Sequence, residues 1–181
     1  MVDGRKVGFD VGCIIIGKSN FGVYGNSEVR PIPKTKLDST DAIYNYLFNR
    51  ICVPVAGVIA DILWHKKYEP EIDKENETNY FYANGVMDKT AITDKGKINE
   101  LLFIINGIVN TPQQDEKTLE NNMNKIQEDA WNDSVEFLVN NKDLELMGNE
   151  LIKQFEESQT EKFSSEYLIQ LQENSRASER L

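Results

Sequence analysis

The chain has 181 residues, 40% apolar and 28% charged, with a formal net charge of −10. That length fits one domain, or one domain with an appendage, and is enough to bury a core without disulfides. The charge is uneven: residues 1–71 carry +1 and residues 72–181 carry −11. This argues against direct nucleic-acid binding, because phosphates need cations opposite them.

Residues 5–26 read as β. Val7, Phe9, Val11 and Cys13 alternate with Gly8, Asp10 and Gly12, the period of a half-buried strand. Ile14, Ile15 and Ile16 extend the run with β-branched side chains, "GKSN" turns it and "FGVYG" returns it as a hairpin. The same stretch, "GCIIIGKS" from Gly12 to Ser19, satisfies the phosphate-loop pattern G-x-x-x-x-G-K-[ST]. Such a loop needs inward-facing backbone N–H groups and must open a helix. Three consecutive β-branched residues resist the loop, and Gly22, Gly25 and Pro31 oppose a helix after it. A nucleotide site would use Gly12, Gly17, Lys18 and Ser19, with Asp61 after the apolar run "VAGVIA" as its magnesium-holding carboxylate. The hairpin is the stronger expectation.

Residues 27–37 hold two prolines and read as an extended connector. Asp38, Ser39, Thr40 and Asp41 offer N-caps for an apolar helix, expected to run to about Cys52, kink at Pro54 and continue towards "HKKY". Its longest uncharged run, between Arg50 and Asp61, has ten residues. A span needs about 20, so a buried core helix is expected and a membrane span is not. His65, the single histidine, stands one helical turn after Asp61. The pair could orient Cys13 or Cys52 as a nucleophile, but His65, Lys66 and Lys67 equally suit a helix C-terminus. One histidine excludes a histidine-rich metal site. The two isolated cysteines and the absence of a signal-like N-terminal run predict a cytoplasmic protein with buried thiols, or export without a cleavable signal.

Residues 66–79 are polar and read as a surface loop. "YFYANGVMDKT" (80–90) and "LLFIINGIVNT" (101–111) share F-x-x-N-G-[VI], which predicts a strand entering a tight turn. In the second piece, Ile98, Leu101, Leu102, Ile105 and Ile108 also fit a helix face. The segment 101–126 resembles a strand-turn-helix segment of secreted bacterial effectors, in which apolar-N-G-I-x-[NT]-[ST] opens an α/β-hydrolase-like domain. That resemblance implies that Asn106 and Gly107 stand near an oxyanion hole. No G-x-S-x-G elbow and no later histidine follow, so it points to a truncated or repurposed relative rather than a complete hydrolase.

From Gln113 apolar residues recur at helical spacing: Leu119, Met123, Ile126, Ala130 and Phe137; then Leu144, Met147, Leu151 and Phe155; then Phe163, Tyr167, Leu168 and Leu171. Three amphipathic helices with acidic outer faces are expected, with Asp143 and Thr160 as N-caps. The predicted fold is α+β: an N-terminal β-hairpin, a buried kinked helix, one or two further strands and an acidic three-helix part. Residues 1–112 would form the mixed core, 113–175 the helices packed on it and 176–181 a frayed tail, in one compact domain. No catalytic constellation or cofactor site is expected. The expected function is a non-enzymatic interaction, regulatory or structural module. Its partner would be a protein with a basic surface, met by Glu120, Glu128, Asp129, Asp133 and Glu136 around Trp131.

Overall fold

A computed structural model describes residues 10–19, 22–30, 32–33, 35–68, 92–110, 114–141 and 143–178. The fold is α+β: five helices and a three-stranded sheet among the described residues. The chain divides into two compact units, one within Lys36–Leu138 and one built from Lys6–Thr35 and Val139–Leu181.

The first unit is helical. Ser39 starts α1 (Thr40–Tyr68) by accepting the Ala42 N–H on its hydroxyl oxygen at 3.1 Å, which satisfies one of the free donors of the first turn. The helix runs through Pro54 as one uninterrupted element, where two pieces were expected. Proline has no N–H, so the Arg50 carbonyl loses its i+4 donor. Helix α2 (Ile92–Val109) contains residues 101–109, and the strand reading of that segment is thereby corrected. Ile98, Leu101, Leu102 and Ile105 are buried at the i, i+3, i+4, i+7 spacing of one helix face. The companion segment 80–90 lies outside the described residues, as does Thr111. Helix α3 (Glu116–Asn140) starts from Asp115, whose carboxylate accepts the Thr118 N–H at 2.9 Å and the Thr118 hydroxyl at 2.7 Å.

Leu47, Phe48, Ile51, Val55 and Ile59 of α1 pack with the four α2 residues and with Ile126 and Ala130 of α3. Ile51 and Ile105 are fully buried, each contributing about 1.5–3 kcal/mol. Buried Ser134 donates its hydroxyl to the Ala130 carbonyl at 2.7 Å and lies 3.4 Å from the Cys52 carbonyl of α1. By length and composition alone, Thr40–Trp64 could cross a membrane: its most apolar stretch has a mean hydropathy of 1.6 and is 35% buried.

The second unit joins the beginning of the chain to its later part. Strands β1 (Asp10–Ser19) and β2 (Gly22–Arg30) pair antiparallel, from Asp10 opposite Arg30 to Ser19 opposite Gly22. The register shifts between Val11 and Cys13, making Gly12 the extra residue of a β-bulge. Helix α4 (Asp143–Ser158) begins at buried Asp143 and ends at Gln159, which adopts φ 55°. Gln159 donates its backbone N–H to the Phe155 carbonyl at 3.0 Å and its side-chain amide to the Glu156 carbonyl at 3.1 Å, closing the helix end.

Strand β3 (Lys162–Ser164) pairs with the other edge of β1, Cys13 opposite Ser164 and Ile14 opposite Phe163, giving the order β2-β1-β3. The cap of α5 (Ser165–Ser178) is therefore Ser164, whose hydroxyl accepts the Tyr167 N–H at 3.4 Å, rather than Thr160. Phe163, expected on the last helical stripe, belongs to the strand, because the ladder with Ile14 holds it there. Ile16, Leu151, Phe155, Phe163 and Leu168 form this unit's core. Cys13 is buried, Cys52 is half-buried, and neither forms a disulfide.

Candidate functional site

The acidic residues of α3 divide by position. Glu120, Glu128, Asp129 and Glu136 are exposed, and Asp133 is half-exposed. None of the first four forms an ion pair or side-chain hydrogen bond among the described residues. Trp131 is half-buried and packs against the helical core, so its ring is a structural neighbour of this face.

Asp129 also lines a cleft of about 460 Å³ within the first unit. Thr40, Asp41 and Tyr44 come from the start of α1, Val109 and Asn110 from the end of α2, and Asn122, Lys125, Ile126 and Asp129 from α3. Helical geometry brings the α3 set together, because positions 122, 125, 126 and 129 fall on one side at three- and four-residue spacing. The Tyr44 ring is stacked on Phe48, with centroids 5.9 Å apart and planes at 15°.

The two amides of the cleft are oriented by partners behind them. The Asn110 side-chain N–H donates to Oδ1 of buried Asn106 at 2.8 Å. The Asn122 side-chain N–H donates to Oε1 of Gln114 at 3.0 Å. The Oδ1 atoms of Asn110 and Asn122 have no partner among the described residues, and neither do the Asp41 and Asp129 carboxylates or the Lys125 ammonium. The carbonyl end of α2 adds partial negative charge, and no basic side chain stands in its last turn to offset it. The cleft thus offers two carboxylates and two amide oxygens as acceptors, beside one cation, the Thr40 and Tyr44 hydroxyls, a second N–H on each amide and the partial positive charge at the start of α1.

The motif Gly12–Ser19 lies entirely in β1. Gly17 is buried opposite Tyr24, exposed Lys18 stands opposite Val23, and Ser19 stands opposite Gly22. The Ile16 N–H donates to the Glu161 carbonyl at 2.8 Å. Ladder N–H groups point sideways at neighbouring chain, not inward at one anion. The next element is a strand, so the helix N-terminus such a loop requires does not follow it. Asp61 is on α1 in the other unit; its side chain, like those of His65 and Ser19, lies outside the described residues. Asn106 and Gly107 fall in the C-terminal part of α2, with Asn106 buried. Among the described residues no three His, Cys, Asp or Glu side chains group as metal ligands.

Of the acidic set foreseen on α3, only Asp129 reaches the cleft. Asp41 reads from the sequence only as one of several N-cap choices, and Lys125 is not singled out there, although it stands four residues before Asp129 on the same helix. Nothing in local spacing joins them to Asn110. Comparison of the chain with protein-family models, with curated proteins and with solved structures gives no match.

Proposed function

We propose that the chain is a non-enzymatic interaction module whose acidic helical surface receives a basic protein. The observation that carries this reading is that Glu120, Glu128, Asp129 and Glu136, on one helix, have no ion-pair or side-chain hydrogen-bond partner among the described residues. Carboxylates already matched by neighbouring lysines would have little to offer a partner. Unmatched ones create a negative potential that speeds encounter with a positive surface and is screened by salt.

The test is retention of a basic protein from native lysate on the immobilised full chain, beside a variant carrying Glu120→Gln, Glu128→Gln and Glu136→Gln. Retention at low salt, release at high salt and loss in the variant are expected. Equal retention by the variant, or none at low salt, would sink the reading. The hydrolase-derived alternative predicts labelling of the folded chain by a serine- or cysteine-directed covalent probe.

A further inference from the structure

We propose that the cleft where the first turn of α1, the end of α2 and the middle of α3 meet binds the guanidinium group of an arginine side chain presented by the partner. This rests on the acidic-surface reading and names the group that the surface would select.

The lining defines the ligand. Asp41 and Asp129 are carboxylates with no partner among the described residues. Asn110 and Asn122 each spend a side-chain N–H inside the protein and keep an unpartnered oxygen. Acceptors drawn from three segments of the chain suit a ligand that carries several donors. Guanidinium has five N–H donors in a rigid fork, whereas an ammonium is a compact point charge. A divalent cation is the poorer match, because among the described residues no third acidic or imidazole ligand joins the two carboxylates. Tyr44, held against Phe48, adds an aromatic side chain of the kind on which guanidinium groups stack. The cleft, about 460 Å³, is within the size range of small-ligand sites and admits one such side chain.

Lys125 gives the proposal a variant of opposite sign. It lies one turn from Asp129 on α3, without forming an ion pair among the described residues, and repels any cation entering the cleft. Removing its charge should tighten binding, whereas removing either carboxylate should weaken it.

The experiment titrates the full chain with N-acetyl-arginine amide and follows backbone amides by proton–nitrogen correlation spectra. N-acetyl-lysine amide and N-acetyl-citrulline amide, the latter an uncharged isostere, serve as comparisons. Saturable shifts at residues 41–44, 110 and 122–129 are expected with arginine and absent with citrulline. Asp41→Asn and Asp129→Asn should each weaken binding about two- to fivefold, and Lys125→Gln should tighten it about twofold, as exposed charge pairs do. Glu136→Gln, outside the cleft, should leave it unchanged. Equal binding of citrulline or lysine, shifts centred elsewhere, or indifference to Asp41→Asn and Asp129→Asn would each overturn the proposal. If the partner is retained by those two variants but lost from the Glu120, Glu128 and Glu136 variant, the cleft fails and the acidic surface stands. If neither set reduces retention, both fail.

Discussion

Asp115 ties a helix boundary to protonation. Its carboxylate accepts the Thr118 N–H and then the Thr118 hydroxyl, and these bonds, in that order of weight, hold its pKa below the ordinary carboxylate range. The folded state therefore holds the proton less readily than the unfolded chain does. The stability this contributes is complete above the unfolded carboxyl's pKa, about 4, and is lost as pH falls through the lower folded value. Asp115→Ala should remove that share of the acid-induced loss of stability, read as a shallower fall of the urea midpoint below pH about 4. Gln159 makes a different commitment. Its left-handed backbone is tolerated because its amide closes the end of α4. Gln159→Val puts a β-branched side chain at the same φ and removes the amide. A loss of about 1–2 kcal/mol is expected in urea unfolding, and an unchanged midpoint would contradict the capping account.

At the scale of elements, legibility tracked chain locality. The start of α1 was readable because four polar residues precede the apolar run and one of them, Ser39, supplies the cap. The hairpin was readable because Val11, Cys13 and the three isoleucines carry strand chemistry over successive residues. The residues around Asn106 supported two periods at once, and packing against α1 decided for the helix. Strand β3 was not readable at all. Three residues cannot display a period, and their strand character comes from pairing with residues 13–15. The cleft was hidden for the same reason, since its acceptors come from three segments of the chain. Pro54 shows the converse, a correct local signal overridden by context. The buried contacts of Ile51, Val55 and Ile59 on either side hold the helix through it. Pro54→Ala restores a donor to the Arg50 carbonyl and should raise stability by up to about 3 kcal/mol, seen as a higher thermal midpoint. A lower midpoint would show that the neighbours depend on the proline's local geometry.

For the molecule as a whole, the two units have separate cores and separate vulnerabilities. One centres on Ile51, Leu102 and Ile105, the other on Ile16, Phe155 and Phe163. Phe163→Ala should cost about 3–5 kcal/mol, and hydrogen exchange should locate the loss: faster exchange in β1, α4 and α5. Exchange that instead rose evenly across α1–α3 would show that the division into units does not describe the cooperative structure. Net acidity is also a whole-molecule property. It sets solubility and encounter with partners, but it gives no direction to the fold.

The chain's route through the second unit has a consequence for biosynthesis. The hairpin leaves the ribosome long before Lys162–Ser164, the segment that pairs with the far side of β1. By then all of Lys36–Leu138, with the helical core it contains, has been translated. One side of β1 therefore waits until the residues between it and Lys162 have been made, and an uncovered strand edge is a template for pairing with other chains. Vectorial synthesis thus makes β1, the first of the described strands, the last to be shielded, and a stop codon ahead of Lys162 would make that exposure permanent.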